Sequence, residues 1–175
     1  LMPAKAAMGA LRLVPIGIEP VAGAAQLVSR PKLLAPAADA HKYRRGLLAV
    51  VAGAMPGASV LAASAAQMAG AGYVKLLADA RPLVGPDLVV ETLPLAKALA
   101  DARIAALLIG SGLGRDANAL ERLAEVLAAP FPAVLDADAL VMLGARQLAQ
   151  RTAPLIATPH AGDDLHRPGD QRHPH

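Results

Sequence analysis

The residues best suited to chemistry in this sequence lie just after short apolar runs. Asp136 and Asp138 follow the run 132–135 directly, in the order L-D-A-D-A-L. Two carboxylates at the end of a buried strand can hold a hydrated Mg2+ or orient a phosphate-bearing ligand. One of them could equally cap the helix that follows, a common use of Asp. His160 and Asp163 follow the run 154–157, in the order T-P-H-A-G-D. A histidine at a crevice can donate to a ligand, although one between Pro and Gly also suits a plain loop. The stretch 104–114 reads I-A-A-L-L-I-G-S-G-L-G, with glycines at 110, 112 and 114. Such a turn lets backbone approach a ligand where a side chain would block it. A helix opening just after it aims free N–H groups at an anion. Taken alone, the stretch also suits an ordinary βα turn. A basic cluster, H-K-Y-R-R-G from His41, Lys42 and Arg45 to Gly46, could clamp phosphate or could be a solvated linker.

Positioning these groups needs elements that end where they stand. The unbroken apolar run 104–109 suits a strand buried on both faces of a parallel sheet. Residues 47–52 and 72–77 read as two more strands, with a helix over 59–69 between them closed by Gly70. That is a βαβ unit, which implies parallel strands and a right-handed crossover. Further strands are expected at 88–90, 132–135 and 154–157, with helices at 95–102, 117–129 and from Asp138 to about Gly144. The alternation predicts an α/β fold, an open and mostly parallel sheet with helices on both faces. In such sheets ligands bind at the carboxyl ends of the strands, which is where the glycine turn, the aspartates and the T-P-H-A-G-D stretch fall.

Composition narrows the partners. The chain has 175 residues, 55% of them hydrophobic but only 2% aromatic, and no cysteine. Its core must therefore be built from Ala, Leu and Val, and disulfides and thiolate metal sites are excluded. Hardly any aromatics and no basic stripe argue against nucleic acid. The charge-free span 46–74 is long enough to cross a membrane, but Pro56, its glycines, Ser59, Ser64 and Gln67 read better as strand, turn and buried helix. No signal-peptide pattern precedes it, so the cytoplasm is the expected compartment. Residues 1–30 are broken by Pro3, Pro15 and Pro20, with one short strand expected over 11–18, and 31–45 read as a linker.

In order along the chain, H-K-Y-R-R-G, G-A-M-P-G-A, A-G-A-G-Y-V, G-S-G-L-G-R-D, L-D-A-D-A-L and T-P-H-A-G-D together resemble the NAD(P)H-hydrate dehydratases. The resemblance covers roughly residues 41–165. It implies a ribokinase-like fold, here incomplete, and residues 46–163 as the N-terminal part of a dehydratase domain. Residues 1–30, with P-A-K and P-I-G-I-E-P, look like the tail of an NAD(P)HX epimerase domain preceding it in a bifunctional chain.

The implied activity is repair: hydrated NADH or NADPH is dehydrated with consumption of ADP or ATP, with Mg2+ as cofactor. By motif position, Ala58, Gly112, Gly114 and His160 would contact the hydrated nucleotide. Asp136, Asp138 and Asp163 would lie near phosphates or metal, Asp136 through Mg2+, and His41, Lys42 and Arg45 would form the phosphate clamp. The sequence departs from the family pattern at Ser111, usually Pro, at Val141, usually Asn, and at Asp163, usually Glu. The family also uses a later K-G strand for the adenine nucleotide and a G-T-G-D turn carrying the catalytic Asp. Neither is among these residues, so no catalytic residue is assigned and the isolated chain is expected to be inactive or nearly so. Residues 164–175, polar and broken by Pro and Gly, are expected to be disordered. Two other functions stay open: a non-catalytic dinucleotide-binding remnant that associates with itself or with an epimerase domain, and a small-molecule kinase of the same fold.

Overall fold

A computed structural model of the chain describes residues 35, 37, 39–42 and 45–160. The strand expected over 11–18, the tail 164–175 and Asp163 lie outside them. Six strands form one sheet: β1 (Leu47–Val51), β2 (Tyr73–Leu77), β3 (Val89–Glu91), β4 (Ile104–Ile109), β5 (Ala133–Asp136) and β6 (Leu155–Thr158). All neighbours pair in parallel, in the order β3-β2-β1-β4-β5-β6. The strand order therefore reverses between β1 and β4. Loops leaving the two strands there diverge to opposite sides and open a crevice at their carboxyl ends.

The helices divide between the faces. On one face α1 (Pro56–Met68) sets Ala63 against Val50, Val74 and Leu76. On the other, α2 (Leu95–Ala98), α3 (Ala117–Ala128) and α4 (Ala137–Met142) set Leu95, Leu123, Val126 and Leu140 against Ala49, Leu107, Ile109 and Leu135. Small residues on β1 and α1 let helix and sheet approach closely, as a core almost without aromatics requires. The sequence did not signal α5 (Ala145–Gln150), which buries no residue. Six residues with no apolar face carry little periodic signal.

One expectation needs correction. The run 104–109 is not buried along its whole length: Ala105 is exposed, and Ala106 and Leu108 are only half-buried. Leu108 lies in one register row with Val134 and Ile156. Val134 is half-buried and Ile156 is 62% exposed. On that face α1 packs over β1 and β2, and its cover does not reach β5 and β6.

Arg151 closes the carboxyl end of α3. Its Nη1 donates to the Val126 and Leu127 carbonyls at 3.0 and 2.7 Å, and its Nη2 to the Phe131 carbonyl at 2.6 Å. The last carbonyls of a helix have no partner within it, and a cation there also meets the negative end of the dipole. Burial pulls the guanidinium pKa below its ordinary value. Arg151→Ala is expected to cost about 2 kcal/mol, from several charge-assisted hydrogen bonds lost together. Urea denaturation checks this, and a midpoint unchanged from wild type would refute it.

Candidate functional site at the carboxyl ends of the strands

Three loops meet at the switch between β1 and β4. The β1–α1 turn donates Ala54 N–H to the Leu113 carbonyl at 3.1 Å and Met55 N–H to the Gly112 carbonyl at 2.9 Å. A Cβ at Gly53 would fall inside the backbone of Leu113, and one at Gly112 inside the Met55 carbonyl. Only glycine permits this approach of two main chains. From the helix side, Ser59 Oγ donates to the Ser111 carbonyl at 2.8 Å, with Ser59 fully buried.

The aspartates tie the glycine loop to β5. Ser111 Oγ donates to Asp136 Oδ2 at 2.7 Å, and Thr158 Oγ1 to Asp136 Oδ1 at 2.9 Å, so one carboxylate links the ends of β4, β5 and β6. Asp138 accepts from Gly114 N–H at 3.0 Å and from Arg115 Nε at 2.8 Å. Between them Ala137 has φ +41°, a left-handed conformation unusual for a residue with a Cβ. That turn is worth about 1–2 kcal/mol of strain, and it sends the two carboxylates to different partners. Neither aspartate side chain caps α4, although Asp136 stands at its N-cap.

Asp116 caps α3, accepting from Ala119 N–H at 2.8 Å, so one of the first amides after the glycine loop already meets a carboxylate. The other helix of the crevice, α1, has no side-chain cap and carries Pro at its start, with Ala58 in its first turn. Sequence reading passed over this asymmetry, though Asp116 was legible as an N-cap.

Ala58, Gly112 and Gly114 are brought together, with Gly112 against Ala58 and Gly114 against Ala54. Asp136 and Asp138 join them through the hydrogen bonds above. His160 follows β6, two strands from β4, and is exposed. The basic cluster is not brought to this site. Arg45 Nη2 donates to the Gly70 carbonyl at 2.5 Å, and Lys42 Nζ lies 5.2 Å from the centre of the Tyr73 ring. His41, Lys42 and Arg45 precede β1, and Tyr73 begins β2, so these contacts lie at the amino ends of the strands. Five residues of strand, about 16 Å, separate the two ends. Sequence order already carried this sign, because residues that precede a strand stand at its amino end.

Asp79 was not singled out from sequence. It lies two residues beyond β2, accepting from Arg122 Nη1 at 2.5 Å and from Asn118 Nδ2 at 3.2 Å, both on α3. A Mg2+ ion finds no ready protein cage here. Among the described residues no three His, Asp or Glu side chains gather as metal ligands, and both Asp136 oxygens already accept hydroxyl hydrogen bonds. Each Asp136 oxygen nevertheless keeps a lone pair beyond its hydroxyl hydrogen bond, and a hydrated Mg2+ needs only one or two carboxylates, so Asp136 could hold such an ion.

The family described as NAD(P)H-hydrate dehydratase matches residues 48–165. The chain is 37% identical over 137 residues to the bifunctional NAD(P)H-hydrate repair enzyme Nnr of Corynebacterium glutamicum, covering 73% of this chain and 23% of that one. It is 41% identical over 144 residues to the ADP-dependent (S)-NAD(P)H-hydrate dehydratase of Neisseria meningitidis, covering 74% of this chain and 48% of that one. Among solved structures, the ADP/ATP-dependent NAD(P)H-hydrate dehydratase of Bacillus subtilis, co-crystallised with ATP/Mg2+, superposes with a TM-score of 0.61 at 30% identity. That match covers 75% of this chain and 50% of the other. A ribokinase-like superfamily protein of Enterococcus faecalis gives 0.62 at 25% identity, over 72% and 49% of the two chains. The chain thus spans about half the length of the single-function relative and a quarter of the bifunctional one. With the family match running from β1 past β6 and the same parallel sheet in its solved neighbours, this chain belongs to the NAD(P)H-hydrate dehydratase family.

Proposed function

We propose that this chain forms the hydrated-nicotinamide side of a site that dehydrates hydrated NADH or NADPH with consumption of ADP or ATP. The observation that carries this reading is the meeting of the β1–α1 turn with the glycine loop at the β1–β4 switch, the place where ligands enter an open parallel sheet. Gly53, Gly110 and Gly112 serve that meeting, because the space a Cβ would need there is filled by neighbouring main chain. The uncapped start of α1 beside it offers the Gly57 N–H to a phosphate oxygen, since Pro56 has no N–H and Ala58 N–H donates to the Met55 carbonyl. Ala58, Gly112, Gly114 and His160 are the substrate contacts in this reading, and Asp136, Asp138 and Asp163 border the phosphates. Asp136 and Asp138 act mainly by fixing the loops, since their oxygens are engaged by Ser111, Thr158, Gly114 and Arg115. Chemistry of this kind rests on positioning and charge stabilisation. Mg2+ is the cofactor and ADP or ATP the co-substrate in this reading, supported by the relative co-crystallised with ATP/Mg2+.

Among the described residues no helix is long and apolar enough to cross a membrane. Together with the small-molecule substrate, this fits the cytoplasm as the compartment. Binding is the first test. Titration of the 175-residue chain with hydrated NADH should give saturable binding, while NADH absorbance should not recover when ADP or ATP and Mg2+ are added. No saturable binding, beside binding by a full-length relative, would overturn the reading. Nucleotide-dependent recovery would refute the expected inactivity of the isolated chain.

A further inference from the structure

The side-chain hydrogen bonds at the strand ends join into one chain. Ser59 Oγ, fully buried on α1, donates to the Ser111 carbonyl at 2.8 Å. Ser111 Oγ in turn donates to Asp136 Oδ2 at 2.7 Å, and Thr158 Oγ1 donates to Asp136 Oδ1 at 2.9 Å. The chain thus runs from α1 over the ends of β4 and β5 to the end of β6. A serine within a helix commonly bonds back to a carbonyl of its own preceding turn, but Ser59 reaches a carbonyl 52 residues away. The carboxylate further along makes both of its hydrogen bonds charge-assisted, roughly twice as strong as neutral ones. Ser111 itself stands between Gly110 and Gly112, at φ +127° and +70°. Glycine backbone has little stiffness of its own, so the loop takes its place from contacts outside it.

We infer that Ser59 and Thr158 are positioning residues for the hydrated nicotinamide nucleotide. Through Ser111 and Asp136 they set the spacing between the start of α1, the glycine loop and the segment carrying His160. This rests on the functional reading above and deepens it by naming what holds the contacts of that site in register. Three of the four proposed contacts border a member of the chain. Ala58 precedes Ser59, Gly112 follows Ser111, and His160 stands two residues past Thr158. Pro159 lies between those last two, and its fixed φ stiffens the link. The fourth contact, Gly114, donates its N–H to Asp138, two residues beyond Asp136. Ser59 and Thr158 each have one hydroxyl proton, and it is already given within the protein. Neither can donate to a nucleotide, so both act on it through the segments they tie. A ligand that touches all three segments needs them placed together, to within about 0.5 Å of the productive geometry.

The test is titration of the 175-residue chain with hydrated NADH, repeated with Ser59→Ala, Thr158→Val, Thr158→Ser and the Ser59→Ala/Thr158→Val double variant. Each is measured at a temperature where circular dichroism shows it fully folded. Ser59→Ala and Thr158→Val are each expected to weaken binding about tenfold, the scale of one lost hydrogen bond. Thr158→Ser keeps the hydroxyl and should bind within about twofold of wild type. The double variant should be weaker than either single one by no more than about threefold, because the two residues act through one chain. Losses that multiply to about a hundredfold are the signature of independent sites, and would overturn the shared chain. Unchanged affinity in the folded single variants would assign both hydroxyls to the fold alone, overturning the inference while leaving the functional reading in place. Equal weakening by Thr158→Ser and Thr158→Val would also overturn it, since only one of them removes the hydroxyl. No binding by the wild type would overturn both readings. Should Ser59→Ala fail to fold, the contrast between Thr158→Ser and Thr158→Val decides alone.

Discussion

Gly110→Ala is expected to destabilise the chain by about 3–5 kcal/mol, from left-handed backbone strain and forced overpacking together. Gly110 has φ +127°, where a residue with a Cβ is strained whatever space surrounds it. Its Cβ would in addition land inside the carbonyl oxygen of Asp136 and within 3.0 Å of the Ala139 Cβ. The first neighbour is main chain at the end of β5, so no rotamer change can yield. Relief requires β4 and β5 to separate at their carboxyl ends, which would break the Ser111–Asp136–Thr158 hydrogen bonds as well. Urea denaturation of the purified variant checks the prediction. A loss under about 1 kcal/mol would mean that the loop can move without the sheet, contrary to this packing.

The second large effect is expected on β2. Lys75 lies mid-strand in β2, 9% exposed, and its Nζ meets Glu91 Oε2 at 2.8 Å and Asp101 Oδ2 at 3.0 Å. Burial pulls the Lys75 pKa down, but the hydrogen bonds and charges of Glu91 and Asp101 outweigh it and leave the value raised. The Asp101 carboxyl is held well below the usual carboxylate range, first by hydrogen bonding from Arg103, against burial, and further by Lys75. Lys75→Met removes the cation from two carboxylates that are themselves mostly buried and should cost about 3 kcal/mol.

The pH dependence has a definite sign. Asp101 has a folded pKa below its unfolded value of about 3.9, so its contribution is present above that value and lost as pH falls below it. Lys75, with a raised folded pKa, contributes below about 10.4 and loses its contribution as pH rises through the folded value. Lys75→Met should therefore lose less stability than wild type between pH 5 and pH 3, on the scale of the carboxylate's ordinary range. Parallel acid profiles for the two proteins would show that Lys75 contributes nothing to the shift at Asp101.

Much of this molecule could be read before folding was considered. Apolar runs bounded by Gly and Pro mark six strands in the described part, and every one stands within about two residues of its expected place. Gly70, with φ +98°, ends α1 as a residue just past a helix should. Local chemistry determines these features: burial drives apolar runs inward, and only glycine tolerates the turns. The ordered motifs likewise carried the family, because six short patterns in sequence are rarely matched by chance.

Tertiary structure alone decided what the polar residues do. L-D-A-D-A-L does not tell a helix cap from a tie between loops; that depends on Ser111, in the loop after β4, and Thr158, on β6, 25 and 22 residues away. Asp79 gains its fixed orientation from Arg122, 43 residues later. In each case the partner comes from another strand, loop or helix, so its identity is a property of strand order. Local sequence sets where a chain turns and what it buries; the crossovers decide which charges meet.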